Sequence, residues 1–271
     1  MKQRICVLGC GWLGFTLAKS LVKNNYMVNG STTTSEKISV LKSNNIEGFL
    51  VQLSSEGIIG AIENCLADCE TLVLNIPPGL RKNPEANYVK QMQQLIPYVE
   101  SSSIKNVLFV SSTSVYDDHE SFPIISETSD TSTTSNTAKQ LLAVEKLFQN
   151  NINFKTTILR FSGLFDEDKH PAKFLSGRKH LKNPEAPVNL IHKSDCIAII
   201  EKIIERRVWN EVFNASTTPH PKKQTYYTAA CKAQNLTLPT YNYSQKSLGK
   251  IIDSTKLVQV LGYTFKIKLE H

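Results

Sequence analysis

Apolar residues run through this chain in short blocks separated by amphipathic stretches, the rhythm of strands alternating with helices. Ile5 to Leu8 is an apolar run too short for a helix, so it predicts a buried strand. Leu13, Leu17 and Leu21 follow at helical spacing. The alternation predicts strands over residues 26–30 and 46–53 and a helix over 58–66. A buried strand over 71–76 must stop at Pro77-Pro78-Gly79, because proline cannot continue a central strand. A helix follows over 85–100, with Val89, Met92, Ile96 and Val99 on one face, then a core strand over 107–110. Strands alternating with helices in this way predict an α/β fold, a doubly wound, mostly parallel sheet of about seven strands.

The junction of the first strand and first helix carries the most specific signal. Gly9, Gly11 and Gly14 fit G-x-G-x-x-G between a strand and a helix. The first glycine permits a tight turn, the second lets a pyrophosphate approach the backbone, and the third lets the helix pack close to the strand. The helix N-terminus then presents unpaired N–H groups and a partial positive charge to the phosphates. This pattern predicts a dinucleotide site. In a doubly wound sheet the carboxyl ends of the strands line the ligand crevice, which brings Asn75, Ile76 and Pro77 beside the cofactor.

The tip of the second strand bears on which dinucleotide. NAD sites usually place an acid there to hold the ribose 2′-OH. Here the stretch is Ser31-Thr32-Thr33-Thr34-Ser35-Glu36-Lys37, with no acid at the tip. Hydroxyls and Lys37 suit a 2′-phosphate, so NADP is expected in preference to NAD. Ser35 also stands where it can cap the next helix.

Composition adds limits. The chain of 271 residues carries a net charge of +7, with eight lysines after Ser216 against Asp253 and Glu270. Tyrosines 226, 227, 241, 243 and 263 lie among them, but no nucleic-acid motif accompanies the charge, so a solvated basic face is expected. No apolar run approaches the ~18 residues of a membrane span, and no leader is expected before the first strand. The six cysteines form neither a disulfide framework nor a zinc pattern. The expectation is a cytoplasmic protein with reduced thiols, no metal, a small-molecule substrate, no nucleic-acid or membrane partner, and a monomeric or homodimeric state.

Further along, Ser111-Ser112-Thr113-Ser114-Val115-Tyr116 closes a core strand. Ser-Ser-x-x-Val-Tyr in that place resembles the extended short-chain dehydrogenase/reductases of the NAD-dependent epimerase/dehydratase superfamily. Ile158-Leu159-Arg160-Phe161-Ser162-Gly163-Leu164-Phe165 resembles that family's LR-x-x-G-x-Y segment. Asn189-Leu190-Ile191-His192-Lys193-Ser194-Asp195 resembles its N-x-I-H-x-x-D segment, and Val212-Phe213-Asn214-Ala215 its last strand. The opening Gly9-Cys10-Gly11-Trp12-Leu13-Gly14, Ile76-Pro77-Pro78-Gly79 and Leu261-Gly262-Tyr263 are similar to the YeeZ-like branch of the atypical members. The resemblance implies a Rossmann domain over residues 1–165, completed by 188–215, and a small substrate-binding lobe from 166–187 and 216–271. It implies a cofactor set of Gly9, Gly11, Trp12, Leu13, Gly14, Ser31, Thr32, Thr33, Lys37, Asn75, Ile76, Pro77, Ser111 and Arg160.

The chemistry departs from that pattern. Active relatives use a Tyr-x-x-x-Lys pair on the next helix, where lysine lowers the tyrosine pKa. Anchoring on Ala143 to Leu147 puts Thr137 and Leu141 at those positions; sliding to use Lys139 puts Ser135 opposite it. Neither register supplies a tyrosine. The remaining catalytic candidates are Ser112, Tyr116 and His192. Ser194 and Asp195 read as caps of the helix after His192. Residues 117–135, long and rich in Ser and Thr, read as part of a substrate mouth that orders on binding. Two readings follow. One is an NADP-using oxidoreductase or epimerase-like enzyme acting on a small polar, sugar-like or anionic substrate. The other is a silent NADP(H)-binding sensor or scaffold.

Overall fold

A computed structural model describes residues 3–80 and 83–269. Met1, Lys2 and Glu270, which the sequence reading touched, lie outside the described residues.

The chain opens with β1 (Arg4–Leu8), α1 (Trp12–Lys23), β2 (Met27–Thr32), α2 (Glu36–Lys42), β3 (Glu47–Leu53), β4 (Ile58–Gly60), α3 (Ile62–Leu66) and β5 (Thr71–Leu74). It continues through α4 (Tyr88–Glu100), β6 (Asn106–Ser112), β7 (Ile124–Ile125), α5 (Asn136–Gln149), β8 (Lys155–Phe161), β9 (Gly163–Phe165) and α6 (Pro171–Leu175). It ends with β10 (Leu190–His192), α7 (Lys193–Arg206), β11 (Val212–Ala215), α8 (Lys223–Ala233), β12 (Ile251–Ile252) and α9 (Thr255–Leu261).

The central sheet has eight strands in the order β11-β8-β6-β5-β1-β2-β3-β4. β1 pairs in parallel with β2 and β5, β2 with β3, and β5 with β6. The order runs outward from β1 in both directions, the doubly wound arrangement that places a crevice at the carboxyl end of β1.

The expected helix over 58–66 is corrected here. Ile58–Gly60 is instead an antiparallel edge strand against β3, the eighth strand, and α3 holds only five residues. Gly57 closes the reversal, and Gly60 at the far end of the strand lets it approach β3. Gly57 and Gly60 sit at φ +149° and +106°, and a Cβ on Gly60 would lie 2.1 Å from the Leu50 carbonyl oxygen. β2 runs past Gly30, because Ser31 and Thr32 pair with Phe49 and Leu50 of β3. α4 starts at Tyr88, where the Asn87 side chain accepts from the Lys90 N–H at 2.9 Å. Its buried face is Tyr88, Met92, Leu95 and Val99, so Val89 and Ile96 stand to one side of it. Ser35 occupies the N-cap position of α2, yet makes no cap bond; its hydroxyl turns to the Glu36 carboxylate at 3.2 Å.

By compactness the chain divides into two units: Met1–Val115, Thr134–Leu159 and Ile200–Val212 in one, Tyr116–Thr133, Arg160–Ile199 and Phe213–His271 in the other. The first unit is cored by β1, β5 and β6, with Ile5 to Leu8, Leu72 to Leu74 and Val107 to Phe109 fully buried. Phe109 stacks on Phe148 of α5 at 5.9 Å. The second unit has its own core of Phe165, Ala172, Val188, Leu190, Tyr226, Tyr227, Ala230, Cys231 and Leu269. Two of the tail's tyrosines are therefore core residues rather than a stacking surface. Within this unit β7 pairs in parallel with β12, and His119 bridges Gly249, so residues 117–135 are not free of structure.

Candidate functional site

A cavity of about 260 Å³ opens at the carboxyl ends of β1, β2, β3 and β5, all in the first unit. Its wall includes Gly9, Gly11, Ser31, Thr32, Thr33, Lys37, Asn75, Ile76 and Pro77. It also includes Cys10, Val51 and Leu53, which lie outside the expected cofactor set. Val51 and Leu53 had a readable signal: residues two apart on a strand share a face.

The three glycines of the turn meet different surroundings. Gly9 is at φ +107°, and a Cβ there would lie 2.4 Å from the Asn75 carbonyl oxygen. A Cβ on Gly14 would lie 2.1 Å from the Gly9 carbonyl oxygen. Both positions exclude any side chain on packing grounds. Gly11 is different: a Cβ there would meet nothing within 4 Å. Gly11 is exposed and is the N-cap of α1, where no side chain caps the helix. The leading N–H groups of a 12-residue helix thus adjoin open space at a side-chain-free position. This is the donor set and the clearance that a diphosphate requires.

Ser31 and Asn75 hold the turn. The Gly9 N–H donates to Ser31 Oγ at 2.8 Å, and the Cys10 N–H to the Ser31 carbonyl at 2.9 Å. Asn75 Nδ2 donates to the Gly9 carbonyl at 3.1 Å. Thr32, nearly buried, shares hydrogen bonds with Thr34. Thr33 and Lys37 are exposed at the rim, where the Thr33 carbonyl accepts from Gln52 Nε2 at 3.0 Å. Burial pushes the Cys10 thiol up to about 12, so it stays protonated.

The other expected cofactor residues have varied roles. Trp12 begins α1 half-buried, and Leu13 is a core residue. Ser111 is buried and donates to Glu145 Oε1 at 2.6 Å. Arg160, in the second unit, is buried and donates to the Tyr116 hydroxyl at 2.5 Å.

The catalytic candidates also differ. Ser112 ends β6 half-buried, its Oγ accepting from the Ser114 N–H at 3.1 Å. The Tyr116 hydroxyl donates to Asn214 Oδ1 at 3.0 Å and accepts from Arg160. Burial raises its pKa, which the neighbouring Arg160 charge only partly offsets. His192 is buried edge-on to Phe165, with Nδ1 2.7 Å from Ser194 Oγ and Nε2 3.3 Å from Glu167 Oε1. Nδ1 also accepts from the Ser194 N–H at 3.2 Å, so the ring proton belongs on Nε2. On α5, Thr137 is half-buried and Leu141 is buried.

Ser194 and Asp195 lie inside the first turn of α7, so the capping expectation is corrected. Asp195 is fully buried and accepts from the Tyr263 hydroxyl at 2.6 Å and the Lys266 and Ile267 N–H groups at 2.9 and 3.3 Å. It anchors the C-terminal segment. All six cysteines are free and buried, with Cys6 and Cys65 Sγ 3.5 Å apart. Among the described residues there is no metal-ligand cluster, and no helix is long and apolar enough to cross a membrane.

A mostly parallel sheet wound outward from a strand that ends in this glycine turn defines a Rossmann-type fold. No protein-family model matches the chain. It is 27% identical to Protein YeeZ of Escherichia coli K12 over 266 residues, 97% of this chain and 96% of that protein. Its fold is similar to that of UDP-glucuronic acid 4-epimerase from Bacillus cereus in complex with NAD, at a TM-score of 0.80 and 18% identity, covering 98% and 93% of the two chains. MoeE5 in complex with UDP-glucuronic acid and NAD gives 0.78 and 17%, covering 98% and 94%. The chain is thus similar to Protein YeeZ over nearly its whole length, and it shares the fold of these NAD-bound structures.

Proposed function

We propose that the protein is an NAD(P)-binding oxidoreductase or epimerase-like enzyme of the atypical short-chain dehydrogenase/reductase type. It acts on a small polar substrate, sugar-like or anionic, without the Tyr-x-x-x-Lys pair. The observation that carries the reading is Gly11: a side-chain-free, exposed position with open space beside an uncapped helix N-terminus. Two similar structures hold NAD, and one of them holds UDP-glucuronic acid as well, which supports a dinucleotide and a polar substrate here.

The α1 N-terminus and Gly11 would hold the diphosphate. Val51, Leu53 and Pro77 offer apolar wall to the adenosine half, and Thr33 and Lys37 lie at the rim of the same cavity. With no acid at that strand tip, a 2′-phosphate meets a cation rather than a carboxylate, so NADP is preferred over NAD. The bound nicotinamide would supply hydride transfer. Of the catalytic candidates, Ser112 has its Oγ accepting from the Ser114 N–H, which leaves the hydroxyl proton to offer a substrate oxygen. His192 and Tyr116 have their polar atoms engaged by neighbours. The lobe of residues 166–187 and 216–271 would hold the substrate, and the protein works as a monomer or homodimer.

A second reading, a silent NADP(H) sensor or scaffold, is favoured by Leu141. In the register anchored on Ala143 to Leu147, its buried side chain stands where active relatives carry the lysine. Fluorescence of bound NADPH against a panel of carbonyl and sugar substrates separates the two. Oxidation with any member supports the enzyme; tight binding without oxidation across the panel supports the sensor. Absence of both NADPH and NADH binding overturns both.

A further inference from the structure

The turn that faces the cavity is itself held by two side chains, one from each neighbouring strand. Ser31 Oγ accepts the Gly9 N–H at 2.8 Å, and Asn75 Nδ2 donates to the Gly9 carbonyl at 3.1 Å. The two bonds take the N–H and the C=O of one residue. That residue is a glycine at φ +107°, and glycine takes positive and negative φ about equally readily, so without these bonds the turn is free to sample other shapes. Ser31 is almost wholly buried, and its own carbonyl also takes the Cys10 N–H. Gly30 leaves the room this needs, since a Cβ there would lie 2.8 Å from Cys10 Sγ.

We propose that Ser31 and Asn75 are positioning residues: a two-sided clamp on Gly9 that fixes the turn in its diphosphate-receiving shape before any nucleotide arrives. The inference rests on the nucleotide reading above, and deepens it by moving Ser31 from ligand contact to support. One lone pair of its oxygen is spent on main chain, which ties the hydroxyl to the turn. The turn that leads into Gly11 and the open end of α1 is fixed at its first residue, so the cost of ordering it falls on folding and not on binding. The clamp acts on the diphosphate end of the cavity and not on Thr33 and Lys37 at its rim.

The test uses the full chain and the variants Ser31→Ala, Ser31→Thr and Asn75→Ala. Ser31→Ala leaves a part-buried N–H without its acceptor and releases the turn on that side. The expected result is that Ser31→Ala and Asn75→Ala each weaken NADPH by roughly tenfold. Adenosine 2′-monophosphate, which lacks the diphosphate, should be held as by the parent, and Ser31→Thr should restore NADPH binding. In the nucleotide-free protein, amide hydrogen exchange at Gly9 and Cys10 should quicken by about the same factor in Ser31→Ala. Unchanged exchange, equal loss of both nucleotides, or no rescue by threonine overturns the clamp. Asn75→Ala decides the matter by the same two readouts if Ser31→Ala does not fold. A parent protein that binds neither NADPH nor NADH sinks the nucleotide reading, while the exchange measurement still judges the clamp.

Discussion

Arg160 donates to the Tyr116 hydroxyl across 2.5 Å, while its guanidinium carbon sits 5.1 Å from the centre of the same ring. The tyrosine hydroxyl donates to Asn214 Oδ1, and the Asn214 backbone N–H donates to Glu127 Oε1 at 2.7 Å. Every polar atom of the ring is committed, and burial raises its pKa. A general acid must release its proton to substrate near neutral pH, and this one is arranged to keep it. Tyr116→Phe should therefore cost stability of about 1–3 kcal/mol, read as a lowered melting temperature, because the Arg160 donor loses its acceptor. Turnover of any substrate found should fall by less than about fivefold; a loss of ~10²-fold or more would return Tyr116 to the catalytic machinery.

The glycines of the turn should separate on substitution. Gly11→Ala adds a methyl group to open space at an ordinary φ, so stability should change by less than about 1–2 kcal/mol. Nucleotide binding should drop by at least ~10-fold, since the methyl occupies the proposed phosphate space. Gly14→Ala meets backbone 2.1 Å away and should destabilise the fold by about 1–3 kcal/mol or more. Paired melting curves and NADPH titrations of the two variants check this. Equal behaviour of the two contradicts it.

Lys37→Glu should weaken NADPH by roughly tenfold or more and leave NADH within about twofold, because only the 2′-phosphate meets the reversed charge. The effect should shrink as salt rises, since Lys37 is exposed. Parallel fluorescence titrations at low and high ionic strength measure both. Equal loss for the two nucleotides removes the 2′-phosphate assignment.

Alkaline pH should unfold the protein cooperatively. Burial pushes the Cys10 and Cys69 thiols up to about 12 and the Tyr226 phenol up to about 12, and it raises Tyr88 and Tyr263 as well. The folded state therefore holds protons that the unfolded state gives up from about pH 8.5 for thiols and pH 10 for phenols. Their contribution is complete below those values and is lost as pH rises toward the folded pKa. Denaturant midpoints between pH 8 and 11 should fall steadily. Tyrosinate absorbance should appear together with loss of far-ultraviolet circular dichroism; early ionisation in a folded protein would count against this.

What the sequence disclosed followed from regular spacing and from residue types with a single strong use. The glycine turn, the buried strands and the proline stop after β5 are of that kind. β4 was hidden because Ile58, Ile59, Ile62 and Leu66 also satisfy helical spacing; the positive φ of Gly57 in the turn, and the close approach of Gly60 to Leu50, are what make a hairpin of it. Ser31 was legible as a residue near the cofactor, but its partner lies 22 positions away on another strand, and pairing register is not written locally. Asp195 misled in the same way. A carboxylate at the start of a helix suits a cap, whereas its actual partners, Tyr263, Lys266 and Ile267, arrive from the far end of the chain.

Leu141 has a consequence for anyone wishing to convert this scaffold into a conventional reductase. Its side chain is buried, so an ammonium grafted there would have to be neutral or tear open its surroundings. Grafting the two absent groups onto α5 is thus not a matter of two codon changes. A working proton donor on this backbone has to be recruited from some other element.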